Sequence, residues 1–290
     1  MIRNPVYEKE LRMTYRSIRI IAIIMIFNII LALVGISRLS YIINDMHFNG
    51  SAEYSAMLQL YILIATIEFL LLILIIPGQT STAISGERER RTLDTILSTT
   101  ITPFTLIIGK LAASLNTIAL FILSSLPVLS LVFIYGGIQL SDLILLLGYM
   151  LFTAACIGSA SICFSSLFRR TATSIITSYG FTFFLFIGTL CLTELPALFS
   201  NTNAVSPTIK TLLLYFLLFN PGITFYYIMN IQAGSSTAFM KLLHFPHLYM
   251  TEFVTNHWIL MSILVQFTVS VLFLFFAVRH LKNNFYSGKA

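Results

Sequence analysis

Two groups of residues in this chain stand where they can do more than pack. One is a run of alternating charge, Glu87-Arg88-Glu89-Arg90-Arg91, followed closely by Asp94. The other is a set of polar side chains inside long apolar runs: Asn28, Glu68 and Asn116. Acids and bases four apart can pair along one helix face, as Glu87 with Arg91 and Arg90 with Asp94. Each such pair contributes only about 0.2–0.5 kcal/mol. Leu93, Ile96 and Leu97 add a short apolar face. A helix starting at Ser85 or Gly86 would therefore lie along a surface and offer apolar knobs amid charge. Docking of another protein and a merely solvated loop both fit this pattern, and the physics of the segment alone does not choose between them.

Glu68 is the one acid deep in an apolar run. A charge there is costly and commonly faces a partner or a water-filled cavity. Two readings stand side by side. Glu68 lines a path or pairs with Asn116, Lys110 or a neighbouring subunit; or it is a neutral acid buried between helices. No catalytic set is found: there is no HExxH and no GxSxG. Gly109-Lys110 resembles the end of a phosphate-binding loop. Phe104, however, stands where the first glycine belongs, and no Ser or Thr follows the lysine. The chain is expected to bind no ATP, and the stretch after Val278 is too short for an ATPase domain. His244 and His247 with Glu252 are read as ordinary polar residues rather than a metal site.

These residues must be positioned by a membrane protein. The chain is 57% hydrophobic and only 10% charged, against about 25% charged in a soluble domain. Several apolar runs reach the roughly 20 residues that span a bilayer. The net charge of +6 is read as Lys and Arg held on the cytoplasmic side rather than as nucleic-acid binding. Cys156, Cys163 and Cys191 all fall in apolar runs and are read as small buried residues, with no disulfide framework.

Six spans are expected: about 20–36, 57–76, 103–135, 143–168, 172–192 and 258–278. A short helix precedes the first. Asn4 suits its N-cap and Pro5 its first position. Tyr7, Leu11, Tyr15 and Ile18 oppose Lys9, Arg12, Arg16 and Arg19, as in a helix lying in the headgroup region. The long apolar run and missing cleavage site argue against a signal peptide. Pro77 and Gly78 loosen the second span where it meets the charged run. Thr102 and Pro103 open the third helix, in which Lys110 is expected to snorkel. Between the fifth and sixth spans, Leu212–Phe219 and Ile223–Ile228 are separated by Asn220-Pro221-Gly222, and each half is too short to cross. With six spans, every Lys and Arg except Arg38, Lys210 and Lys241 falls on one side, together with both termini. That asymmetry marks the cytoplasm, so the broken segment is read as a re-entrant pair of helices on the outer side.

The run from Ala83 to Thr99, AISGERERRTLDTILST, followed by Thr102-Pro103 and Gly109-Lys110, resembles the signature of type-two ABC transporter permeases. The opening Asn4-Pro5-Val6 with Lys9-Glu10-Leu11-Arg12 is similar to that family's start. The resemblance covers essentially the whole chain. Thr99-Thr100 departs from it, standing where a proline is frequent.

The resemblance implies an all-α membrane protein forming a single permease domain over 1–290. Within it lie an interfacial elbow helix (1–19), a cytoplasmic coupling helix (86–102) and an outer segment with re-entrant helices (193–256). Glu87, Arg88, Glu89, Arg90 and Arg91 would be the coupling contacts with a separate ATPase subunit, which binds the ATP and Mg. This chain itself would carry no cofactor and no metal. A second permease subunit, identical or homologous, would complete a path for an amphipathic or hydrophobic substrate: a peptide, lipid-like molecule or drug. No substrate-binding residue carries over from the resemblance; Asn28, Glu68 and Asn116, as polar residues within the spans, are the candidates to border that path. The aromatics Phe225, Tyr226, Tyr227, Phe239, Phe245 and Tyr249 make a peptide the slight favourite, though they equally fit an interface belt. Partners would be the ATPase, the second permease, lipids and the exported substrate, with no nucleic acid, in a bacterial plasma membrane. The competing readings are an integral-membrane enzyme, or an ion-driven transporter or channel working without an ATPase.

Overall fold

The computed structural model describes residues 5–49, 54–98, 101–134, 139–193, 215–234, 254 and 257–287. Among these residues all regular structure is helical. A short α1 (Pro5–Tyr15) is followed by α2 (Ile18–Asn49) and α3 (Tyr54–Thr80). Two short helices come next, α4 (Ser85–Glu89) and α5 (Leu93–Leu97). Then follow α6 (Pro103–Ile134), α7 (Leu140–Leu167) and α8 (Thr171–Phe183), which runs on through a π-helical turn at Phe184–Gly188. A 3-10 turn (Leu217–Phe219), α9 (Pro221–Gln232) and α10 (Trp258–Ser287) complete the described elements.

Six of the described helical stretches are long and apolar enough to cross a membrane: Ile18–Asp45, Ala56–Glu89, Pro103–Ser130, Leu140–Leu167, Thr171–Thr193 and Trp258–Asn283. They coincide with the six expected spans, and most run longer. Their burial sorts them into two groups. The central windows of α3, α6 and α7 are 50–56% buried, whereas those of α2, α8 and α10 are 17% buried. The first three make the inner bundle. The outer three expose rows such as Met25, Ile29 and Leu33, or Phe267, Leu272 and Phe275. On helices of bilayer length such rows are what lipid or another membrane helix covers.

α7 is the central element, packing on α3, α6, α8 and α10. Its small residues Ala154, Gly158, Ser159, Ala160 and Ser161 are all buried. A Cβ at Gly158 would meet Leu111 of α6 at 3.2 Å and Thr80 of α3 at 3.5 Å. The small face thus lets two neighbours close in on one helix, where dispersion rather than exclusion of water must hold them.

The break at Asn220 shows how an interrupted helical backbone is held inside the bundle. Asn220 ends the 3-10 turn and caps α9: its Oδ1 accepts from the Gly222 and Ile223 amides at 2.8 and 3.3 Å, with Pro221 in the first helical position. Its Nδ2 donates to the Phe186 carbonyl in the π turn at 2.9 Å and to Thr189 Oγ1 at 2.7 Å. Carbonyls beside the break also meet side-chain donors. Leu218 O accepts from Ser262 and Gln266 of α10, and Pro221 O from Tyr149 of α7. Each backbone group left unpaired in an apolar interior is costly, so these side chains are what permits the break. The expectations for Asn4, Lys210, Phe239, Lys241, His244, Phe245, His247, Tyr249 and Glu252 concern residues outside the described set.

Candidate functional site

The charged run does not form one helix over 86–102. α4 ends after Glu89, Arg91 takes a left-handed φ of 57°, and α5 begins at Leu93. The expected Glu87–Arg91 pair is absent: α4 stops at Glu89 and Arg91 leaves the helical backbone, so the two do not share a helix face. Asp94, the expected partner of Arg90, has a side chain outside the described set.

Glu87, Arg88 and Glu89 instead grip three different places in the bundle. Glu87 Oε1 lies 2.8 Å from Lys110 Nζ on α6, and the same ammonium lies 2.8 Å from Glu10 on α1. Lys110 is only 5% exposed, so it does not snorkel toward headgroups; two carboxylates satisfy it inside the protein. Arg88 donates to the Ser166 and Phe168 carbonyls at 3.0 and 3.1 Å. These are the free acceptors at the C-terminal end of α7, where a cation is favoured by the helix dipole. Glu89 accepts from the Thr171 hydroxyl at 2.6 Å and from the Thr171 amide at 3.2 Å. That is the first residue of α8, where a carboxylate meets unpaired N–H groups. Ser165 of α7 completes the attachment, accepting from the Ile84 and Ser85 amides at 2.9 Å each and so supplying the cap that α4's own sequence lacks.

Arg90 and Arg91 behave differently. Both are exposed and make no side-chain hydrogen bond or ion pair with a described residue. The five charges therefore divide into a trio bonded to α6, α7 and α8, and a pair without a described side-chain partner.

The other predicted residues do not converge. Asn28 of α2 donates to Ser124 Oγ at 2.9 Å. Glu68 of α3 is fully buried and accepts from the neighbouring Ser125 at 2.5 Å, while its Oε2 has no partner among the described residues. Neither Lys110 nor Asn116 pairs with Glu68. Asn116 sits toward the α1 end of α6 and donates to Tyr15 OH at 2.7 Å. Asn28 and Glu68 thus join α2 and α3 to adjacent residues of α6, and Asn116 joins α6 to α1. Elsewhere an apolar hollow of about 400 Å³ lies between α3, the π turn and α9. Phe69 and Phe225 form part of its wall, stacked with centroids 4.1 Å apart. Among the described residues no group of three or more His, Cys, Asp or Glu side chains is placed to hold a metal ion. Cys163 is buried as expected, whereas Cys191 is exposed on the outer surface of the α8 span.

Sequence reasoning noted Lys110, but not as a hub, and it missed Ser165, Thr171 and Tyr149. Their partners are remote in sequence and no local spacing marks them. Residues 4–283 match a family model described as "ABC-2 family transporter protein". No curated protein matches the chain.

Proposed function

The chain belongs to the ABC-2 family of transporter membrane proteins, and from that premise we propose that its charged turn is the coupling element through which a separate ATPase drives an exporter. It is the multi-pass membrane component of an ABC-2 type transporter, and such subunits carry no ATPase activity of their own. In the proposed arrangement Arg90 and Arg91 touch the ATPase. Glu87, Arg88 and Glu89 pass its displacement to the membrane helices. α1 is the elbow helix, the segment around Asn220 is re-entrant, and residues 1–290 form one permease domain. Both termini and the turn face the cytoplasm of a bacterial cell. ATP and Mg belong to the partner.

The observation that carries this reading is the division of the charged turn into an exposed cationic pair without a described partner and a trio bonded to Lys110 of α6 and to the adjoining ends of α7 and α8. An ordinary solvated loop has no need of the second half. A push on α4 would act at once on the C-terminus of α7, the N-terminus of α8 and the α1–α6 joint. Closure of an ATPase pair would then shift two permease copies between inward and outward states. The path is proposed to be bordered by Asn28, Glu68 and Asn116. The unpaired Glu68 Oε2 supports that role, and a hydrophobic or amphipathic substrate such as a peptide fits the aromatic surroundings of α9.

Arg90→Glu with Arg91→Glu tests the coupling role, because neither side chain holds the fold. The double variant should insert and fold normally yet lose substrate-stimulated ATP hydrolysis by the co-purified ATPase. Normal coupled export in that variant would count directly against the assignment.

A further inference from the structure

The short connection between α7 and α8 carries two more arginines, Arg169 and Arg170. Both are exposed, and neither makes a side-chain hydrogen bond or ion pair with a described residue. In this they resemble Arg90 and Arg91 and differ from Arg88.

Hydrogen bonds lay this connection alongside the charged turn. Ser174 donates to the Ser81 carbonyl at 2.6 Å, and Ser165 accepts from the Ile84 and Ser85 amides. Arg88 holds the Ser166 and Phe168 carbonyls, and Glu89 holds Thr171. Arg169 and Arg170 therefore fall between the residues gripped by Arg88 and Glu89, and Arg90 and Arg91 follow directly after that grip. Arg170 lies close enough to Glu89 to act on its charge, and Arg90 lines one cleft together with Thr171. The two connections thus bring four exposed arginines together. Glu89 is the described exposed acid among them, and Thr171 already occupies its carboxylate.

Given the coupling role proposed for the charged turn, on which this rests, we infer that Arg169 and Arg170 join Arg90 and Arg91 in one docking surface, and that it takes an acidic patch of the ATPase subunit. Neighbouring cations without counter-charges repel one another. Partner carboxylates relieve that repulsion and accept charge-assisted hydrogen bonds. All four positions are Arg, whose planar fork suits bidentate pairing with carboxylates. Anionic headgroups are the competing source of negative charge. However, α7 packs on α3, α6, α8 and α10, and Ser165 and Ser166 at its end are buried. The connection therefore leaves from the middle of the bundle rather than from a face that lipid covers. It gives the ATPase a direct hold on α7 and α8, besides the one that passes through Arg88 and Glu89.

The test is affinity for the ATPase subunit that co-purifies with the unmodified permease. It is titrated onto the full chain in nanodiscs of phosphatidylcholine alone, at low and at high salt. Arg169→Gln with Arg170→Gln should weaken binding about tenfold at low salt, as expected for two exposed ion pairs, and high salt should shrink the difference. Arg90→Gln with Arg91→Gln should do the same. Unchanged affinity in the first variant with a loss in the second would overturn the shared surface and leave the coupling turn standing. Unchanged affinity in both would overturn the coupling role as well. Retained phosphatidylglycerol, counted by native mass spectrometry from mixed nanodiscs, separates the sources of charge: a variant at Arg169 and Arg170 that loses this lipid but keeps its ATPase affinity would make headgroups the occupant and sink the inference. Wild-type affinity that does not fall with salt would overturn it even if the variants fail to fold.

Discussion

The Lys110 ammonium stands 2.8 Å from a Glu87 carboxylate oxygen, with the two side chains 5% and 16% exposed. Glu10 approaches the same nitrogen at 2.8 Å, so one cation joins α1, α4 and α6. Removing one partner of a shielded pair leaves the other charged away from water. Lys110→Met should therefore destabilise the protein by about 3 kcal/mol, and Glu87→Gln by less, because Glu10 still satisfies the lysine. The double variant should fall short of the summed losses by about 1–2 kcal/mol. Unfolding in detergent measures all three, and strictly additive losses would mean that the contact contributes nothing.

Arg91 is the described non-glycine residue with a left-handed backbone, at φ 57°. Its side chain is exposed, so the backbone can be tested separately from contacts. Arg91→Gly should hold or raise stability by up to about 1 kcal/mol. Arg91→Val should lower it by about 1–2 kcal/mol, since a β-branched residue is a poor occupant of that region. The same unfolding measurement ranks them, and a Val variant as stable as Gly would remove the left-handed turn from the account.

Asn220 combines two jobs that one substitution can separate. Asn220→Asp keeps the acceptor for the Gly222 and Ile223 amides but loses both donors, and it sets a carboxylate against the Phe186 carbonyl. A loss of about 2–3 kcal/mol is expected from the orphaned buried acceptor. Stability matching wild type would show that the π turn does not depend on this amide.

Glu68→Gln preserves an acceptor for Ser125 and the side-chain volume, whereas Glu68→Ala removes both and leaves a void. The first should stay within about 1 kcal/mol of wild type and the second should lose about 2–3 kcal/mol. Transport at matched expression then separates packing from path. Unchanged rates in Glu68→Gln would remove the carboxylate's charge from the mechanism.

The spans were legible because bilayer length and hydrophobicity act on each segment alone. Ile18–Asp45 and Trp258–Asn283 need no partner to be recognised. The break at Asn220 was legible too, since Asn-Pro-Gly carries its own cap and first-turn signals. The charged turn was legible as a site but not as a geometry. An i, i+4 reading pairs Glu87 with Arg91, because nothing local announces Lys110, Glu10 or the Phe168 carbonyl. A partly shielded ion pair across helices outweighs an exposed pair along one, and that competition is settled only when the helices meet. The left-handed arginine was hidden for a related reason: the backbone there serves the attachment of α4, not the preference of its own residue.

Arg88 and Glu89 hold helix ends of opposite polarity, and that has a consequence for length rather than for chemistry. The C-terminus of α7 attracts a cation and the N-terminus of α8 an anion, so the order of the two residues is a register mark. One residue inserted between Gly86 and Glu87 would carry Glu87 to the acceptor-rich end and Arg88 to the donor-rich end, making both attachments repulsive at once. It would also take Glu87 from Lys110 and leave Glu10 as that ammonium's carboxylate. Single replacements in this turn each loosen one attachment; a change of frame by one residue would reverse two and empty a third. The turn should therefore accept substitution more readily than insertion or deletion, although it lies between helices where length is ordinarily the easiest thing to alter.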